Sequence, residues 1–90
     1  MIRYNVFISG KVQLVGFRSY IKKKADELGI KGWIRNLDDG RIEAVFEGEE
    51  NNVKIILEYC KKGPISAEVK NLDMKKEEYK NEFKDFEIKV

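Results

Sequence analysis

The chain has 90 residues, the size of one domain with one small hydrophobic core. Eighteen lysines and arginines nearly balance sixteen aspartates and glutamates, so the net charge of +2 provides no general attraction to nucleic acid or to anionic membranes. Histidine is absent, which excludes histidine general bases, serine–histidine triads and histidine metal sites, and the single Cys60 excludes an intrachain disulfide.

The first predicted element is a β-strand that leads into an irregular segment. Apolar side chains at positions 2, 4, 6 and 8 recur with the period of a strand that has one buried face. Two glycines then interrupt the pattern in residues 10–17, which we call the glycine loop. Apolar residues next recur at helical spacing from about residue 17 to residue 28, and Gly29 lies where a left-handed C-terminal cap is expected.

A hairpin and a second helix follow. Residues 31–37 and 41–47 are predicted strands, and Asp39 and Gly40 between them form a strong short hairpin signal. The helix begins with acidic residues at 49 and 50 and ends with Lys61 and Lys62 before Gly63. This charge order complements the helix dipole, and it predicts a helix between these limits.

The end of the chain predicts two more strands, residues 65–73 and a short one with apolar side chains at 86, 88 and 90, joined by a charged connection over 75–82. The order strand, helix, strand, strand, helix, strand predicts an α+β, ferredoxin-like sandwich over the single domain 1–90. We expect an antiparallel sheet with both helices on one face and a short extra C-terminal strand. Because many functions share this fold, it does not indicate one.

The glycine loop is the first candidate for chemistry. A strand that turns through glycines into a helix N-terminus aims backbone N–H groups and the positive end of the helix dipole at one point, where an anion can bind. Arg18, in the first turn of the helix, would add a bidentate cationic contact with phosphate oxygens. The alternative is an ordinary connection followed by a surface arginine, and the two glycines alone favour that alternative.

Asn36 is the second candidate. Strand alternation places it on the face of Gly32 and Ile34. Its carboxamide both donates and accepts hydrogen bonds, so it is suited to hold a water molecule in line with a bound phosphorus atom. The alternative, which this segment alone favours, is that Asn36 opens the turn at residues 38–40.

Other polar and aromatic side chains have simpler structural explanations. Cys60 lies on the apolar stripe of the second helix, where a core thiol is expected. Asp38 and Asp39 fit a hairpin turn better than a metal pair, and Phe7 and Trp33 fit packing on strands better than a platform for nucleic-acid bases. We therefore predict no metal site among these residues.

Two segments of the chain resemble the acylphosphatase family. The family's loop pattern, Gly-x-Val-Gln-Gly-Val-x-Phe-Arg, is met at Gly10, Val12, Gln13, Val15, Phe17 and Arg18. Its second pattern, Gly-Trp-(Val/Ile)-(Arg/Lys)-Asn-x-x-Asp-Gly, is met in full over residues 32–40. The similarity extends over nearly the whole chain, and two patterns at the expected separation are far more specific than either alone.

The resemblance implies hydrolysis of acyl phosphates, which are carboxyl–phosphate mixed anhydrides, to a carboxylate and inorganic phosphate. It implies no metal, no cofactor and no covalent intermediate. By matched position, Arg18 would bind phosphate and Asn36 would orient the attacking water. The phosphate-binding loop would comprise Gln13, Leu14, Val15, Gly16 and Phe17. We expect a cytoplasmic monomer whose partner is a small-molecule acyl phosphate, with no nucleic-acid or membrane partner.

Leu14 departs from the family pattern, which has glycine at that position. If that glycine supplies a left-handed backbone conformation, leucine costs on the order of 1–2 kcal/mol there; its side chain could instead crowd the mouth of the site. An alternative function is therefore an anion-binding or interaction module with weak or no turnover. The related domain of hydrogenase-maturation carbamoyltransferases, which handles carbamoyl phosphate, shows that the motif can also serve a larger enzyme. RNA binding on the open sheet face is a further alternative, which the low net charge and the lack of a ribonucleoprotein motif disfavour.

Overall fold

The computed structural model describes all residues from 1 to 90. Its helices and strands are β1 (Ile2–Lys11), α1 (Phe17–Leu28), β2 (Lys31–Asn36), β3 (Ile42–Gly48), α2 (Glu50–Lys62), β4 (Glu68–Glu77) and β5 (Phe86–Ile88). The strands form one sheet in the order β4-β1-β3-β2-β5, with both helices packed on one face. This arrangement confirms the predicted ferredoxin-like α+β fold with an extra C-terminal strand.

The sheet is mixed, whereas the sequence predicted an antiparallel one. The pairs β1–β3, β1–β4 and β2–β3 are antiparallel, but β5 runs parallel to β2. The connection of residues 78–85 explains the direction of β5, because it joins strands at opposite edges of the sheet. β4 ends at Glu77, opposite Arg3 of β1, and β2 begins at this same end of the sheet. A connection that crosses at this end therefore enters β5 in the direction of β2.

β4 lies three to four residues later in the chain than predicted. Residues 65–67 form a turn, in which the Ala67 N–H donates to the Pro64 carbonyl. The strand continues to Glu77, inside the segment where the sequence predicts a charged connection. β4 is an edge strand without a fully buried residue, so its apolar alternation is weak. Its pairing with β1 determines its bounds, and this pairing includes a register shift between Ser9 and Gly10.

The core lies between the sheet and the two helices. α1 contributes Phe17, Ile21 and Ala25, and α2 contributes Val53, Ile56, Leu57 and Cys60. Val6 and Ile8 of β1 and Ile34 of β2 face them from the sheet and are fully buried. Neither helix has the length and apolar character needed to cross a membrane.

The open face of the sheet carries a buried ion cluster centred on Arg3, which is only 8% exposed. Its guanidinium donates to Glu47 at 3.2 Å, to Glu77 at 3.0 Å and to Glu82. Glu47, 3% exposed, also accepts a 2.8 Å hydrogen bond from the backbone N–H of Lys80. These contacts hold the connection of residues 78–85 against the sheet on its way to β5.

Candidate active site

A small cavity opens between the glycine loop, the start of α1, the end of β2, and β5. Its volume is about 140 Å³, and the residues that line it are Val12, Leu14, Gly16, Phe17, Arg18, Ser19, Asn36 and Ile88. Drug-sized ligands usually occupy cavities of roughly 300–1,000 Å³, so this one suits a small molecule. The structure therefore brings the two predicted catalytic residues, Arg18 and Asn36, to the same cavity.

The backbone of the glycine loop has a positive φ at three positions, Gly10 at its start and two residues that line the cavity. Leu14 has φ of 63° and Gly16 has φ of 77°. Gly16 is also the N-cap of α1, where no side chain accepts a hydrogen bond from the first turn and no acidic residue is present. Because the first N–H groups of a helix have no partner within the helix, this end of α1 offers free donors and partial positive charge to the cavity.

Arg18 differs from the other arginines in having no salt bridge. The remaining three are paired with carboxylates: Arg3 with Glu47, Glu77 and Glu82, Arg35 with Glu43, and Arg41 with Asp39. Arg18 is partly buried in the first turn of α1 and lines the cavity. Its guanidinium is therefore a permanent positive charge available to an anion beside the free helix donors.

Asn36 is the last residue of β2, on the helix side of the sheet as strand alternation predicted. Its Oδ1 atom is buried and accepts no hydrogen bond within the protein. A buried acceptor without a partner costs on the order of 1–3 kcal/mol, so this atom calls for a water molecule or a ligand group in the cavity. The side chain that stabilises the following turn is Asp39 and not Asn36, because Asp39 Oδ1 accepts a 3.1 Å hydrogen bond from the Arg41 N–H.

Two residues of the predicted phosphate loop, Gln13 and Val15, do not line the cavity. Gln13 Nε2 donates to the carbonyl oxygens of Leu37 at 2.8 Å and Arg41 at 3.0 Å, which belong to the β2–β3 hairpin. The carbonyl of Val15 accepts a 3.1 Å hydrogen bond from Ser66 Oγ, in the connection between α2 and β4. These residues attach the glycine loop to its neighbours.

Sequence reasoning missed three residues that line the cavity: Val12, Ser19 and Ile88. Val12 and Ser19 border the predicted site along the chain, so their nearness to Phe17 and Arg18 was a usable signal. Ile88 had no such signal, because only the parallel pairing of β5 with β2, which sets Ile88 opposite Ile34, brings it there.

The remaining polar candidates have the structural roles expected of them. Cys60 is fully buried, and burial raises the pKa of its thiol, so it is no nucleophile. The backbone N–H of Arg41, assisted by its guanidinium, lowers the pKa of Asp39 and ties this carboxylate to the hairpin. No group of three or more aspartate, glutamate, histidine or cysteine residues is placed to bind a metal ion.

Comparisons with known proteins agree on one family. The family model described as Acylphosphatase matches residues 4–88. An acylphosphatase of Syntrophobacter fumaroxidans is 46% identical over 86 residues, which is 96% of this chain and 89% of that protein. An acylphosphatase of Pyrobaculum aerophilum is 49% identical over 89 residues, or 98% and 94% of the two chains. The crystal structure of acylphosphatase from Bacillus subtilis superimposes on the whole chain with a TM-score of 0.96 and 32% identity, and is itself covered completely.

We expect Arg18→Gln to weaken the binding of inorganic phosphate by roughly 30- to 100-fold, because a charge-assisted bidentate contact contributes on the order of 2–3 kcal/mol. Titration calorimetry with phosphate measures the effect. Arg35→Gln is the matched control, since Arg35 is paired with Glu43 away from the cavity, and it should bind phosphate as the unmodified chain does. Equal affinity of the Arg18→Gln variant and the unmodified chain would contradict the assignment of Arg18 to the anion site.

Proposed function

Because this chain belongs to the acylphosphatase family, a family of hydrolases that act on acid anhydrides, we propose a specific arrangement for its hydrolysis of acyl phosphates. The phosphate lies on the backbone amides of the phosphate-loop residues that line the cavity, 14, 16 and 17, and on the guanidinium of Arg18, and Asn36 holds the attacking water. One observation carries this proposal: an unpaired arginine and a buried, unpartnered carbonyl oxygen meet in the same small cavity at a helix N-terminus.

The reaction requires positioning more than it requires a strong acid or base. The water oxygen forms a bond to phosphorus in line with the breaking bond to the acyl oxygen, and the carboxylate leaves with that bond's electrons. Carboxylates are weak bases with pKa values of about 4, so the leaving group needs no protonation. One proton of the water stays on the attacking oxygen and the other passes to a phosphate oxygen, giving dihydrogen phosphate.

Each side chain has a defined part in this mechanism. Arg18 and the loop amides stabilise the charge on the phosphate oxygens, the role that a metal ion has in many phosphoryl-transfer enzymes. The Oδ1 of Asn36 accepts a hydrogen bond from the water, and this contact directs a lone pair of the water oxygen at phosphorus. We propose that the domain of residues 1–90 acts as a metal-independent, cytoplasmic monomer with no cofactor.

The proposal is tested by hydrolysis of benzoyl phosphate with the purified chain in excess EDTA. We expect turnover to continue and to be inhibited competitively by inorganic phosphate, because the charge that stabilises the phosphate comes from Arg18 and backbone amides. Activity that disappears on chelation and returns with magnesium or zinc would contradict the mechanism.

We expect Asn36→Ala to lower kcat by roughly 100- to 1,000-fold, the usual effect of deleting one group that acts in the transition state. The affinity for inorganic phosphate should change little, because the variant loses the guide for water and keeps the phosphate contacts. Steady-state kinetics and phosphate inhibition constants separate the two effects. Asn71→Ala, at an exposed asparagine of β4, is the control. An Asn36→Ala enzyme that retains most of its kcat would reduce Asn36 to a structural role.

A second candidate function, binding of an anion with weak or no turnover, is favoured by the left-handed conformation of Leu14. A leucine with φ of 63° strains the loop that has to present its amides to phosphate. If this strain leaves the binding conformation sparsely populated, the apparent phosphate affinity falls by the same fraction. The efficiency of hydrolysis would fall by the same fraction, because the substrate needs the same loop conformation, and turnover would be weak.

We expect Leu14→Gly to raise the thermal midpoint by roughly 4–8 °C, the shift produced by about 1 kcal/mol in a domain of this size. Tighter phosphate binding and a higher kcat/KM for acetyl phosphate should accompany it, because all three follow from the relief of one strain. Thermal unfolding, calorimetry and steady-state kinetics on both proteins supply the measurements. A Leu14→Gly protein that is less stable and no faster would show that the leucine is accommodated without cost, which removes the basis of the second candidate.

A further inference from the structure

The lining of the cavity is half polar and half apolar. The polar groups are Arg18, Ser19, Asn36 and the backbone at Gly16, which are suited to phosphate and water. The apolar groups are the four remaining lining residues, Val12, Leu14, Phe17 and Ile88. An acyl phosphate combines the same two kinds of group, since its phosphate is charged and its acyl group is carbon-rich.

The apolar residues differ in how much of their surface a ligand can contact. Val12 and Phe17 are each 1% exposed, so they belong to the core beneath the cavity. Leu14 is fully exposed at 101%, and Ile88 is 38% exposed. The apolar surface available at the mouth of the cavity therefore comes from Leu14 on the glycine loop and from Ile88 on β5.

Leu14 is in an environment that disfavours leucine on two counts. Its backbone is in the left-handed region, and its side chain is entirely in solvent. Strained backbone conformations of residues other than glycine concentrate at functional sites, where the position of the side chain matters. A ligand that covers the Leu14 side chain would make this placement favourable.

Apart from Arg18, no charged side chain lines the cavity. Next to Ile88 on β5, Glu87 lies opposite Trp33 in the sheet register, and the Nζ of Lys89 is 4.8 Å from the centre of the Trp33 ring, so both are on the open face of the sheet. Lys22, one turn after Arg18, donates to the Phe86 carbonyl and is paired with Asp26. A second negative charge on the substrate would therefore find no free cation here.

We propose that Leu14 and Ile88 form an acyl subsite that selects uncharged, apolar acyl groups over acyl groups with a second carboxylate or phosphate. The inference rests on the proposed function and adds a substrate class to it. The C-terminal strand β5 is thereby a specificity element, because it supplies Ile88 and contributes no other residue to the lining.

The test compares kcat/KM for acetyl phosphate, benzoyl phosphate and 4-carboxybenzoyl phosphate. Benzoyl phosphate should exceed both others by roughly tenfold, the lower end of the discrimination that one methylene group provides in a closed pocket, because this wall is open on one side. Ile88→Ser and Leu14→Asn should each lower the ratio of benzoyl to acetyl efficiency. Asparagine is chosen at position 14 because it tolerates the left-handed backbone.

Ile55→Ser is the matched control, since Ile55 is an isoleucine of similar exposure, 42%, on the outer surface of α2. It should leave the ratio unchanged. A ratio that stays constant in both subsite variants would overturn the inference. A ratio that rises would do so as well, because it would mean that the two side chains crowd the acyl group.

A binding measurement separates this inference from the proposed function. Phenacylphosphonate and acetonylphosphonate are non-hydrolysable analogues of benzoyl and acetyl phosphate, and calorimetry gives their affinities without turnover. If the chain hydrolyses no acyl phosphate but binds phenacylphosphonate more tightly, and the preference disappears in Ile88→Ser, the function is wrong and the subsite stands. If turnover occurs and the two analogues bind equally, the subsite alone is wrong. If neither analogue binds, both proposals fail.

Discussion

The two hydrogen bonds donated by the Gln13 side chain connect the two halves of the site. The glycine loop supplies the contacts proposed for phosphate, and the end of β2 supplies the residue proposed to hold water, but the chain between them includes all of α1. Gln13 Nε2 reaches the hairpin carbonyls of Leu37 and Arg41, directly after Asn36. In-line attack requires the reacting groups to be placed to well within 1 Å. The direct hydrogen bonds between these segments therefore contribute more to the rate of the reaction than to the stability of the fold. Both carbonyls also accept backbone hydrogen bonds, which limits the cost of losing the tie.

A second constraint lies at the opposite end of the sheet. Arg3 gathers three glutamates, two of which belong to the end of β4 and to the connection that follows it. Burying an ion cluster gives little net stability compared with apolar packing, because desolvation offsets the attraction. The cluster instead fixes the course of the chain, because it holds residues 78–85 against the open face of the sheet and so places β5 beside β2. Ile88 reaches the cavity only because of this path.

The sequence predicted what depends on local pattern. Both helices, the hairpin and the helix-side orientation of Asn36 follow from periodicity and turn residues, and the glycine loop with Arg18 is contiguous along the chain. The parts it did not predict depend on partners far away. The limits of β4 are set by pairing with β1, and the parallel direction of β5 is set by the end of the sheet at which the connection crosses. The position of Ile88 depends on both. The outward direction of the Gln13 side chain was also inaccessible, since an irregular loop has no period from which a direction can be inferred.

The free energy of folding limits how many strained or unpartnered groups the site can contain. A domain of this size has a net stability of roughly 5–15 kcal/mol. The left-handed Leu14 costs on the order of 1–2 kcal/mol, and the unpartnered oxygen of Asn36 on the order of 1–3 kcal/mol. Both lie at the cavity, next to a core whose helix and strand residues are fully buried and well packed. A bound phosphate with its water would satisfy the Asn36 oxygen, and an apolar acyl group would cover Leu14, so in the proposed complex the substrate would supply the contacts that folding leaves unmade. A chain with no histidine suits this chemistry, because hydrolysis of an acyl phosphate requires a positioned water molecule and positive charge beside the phosphate. The fold brings residues suited to both tasks to one cavity.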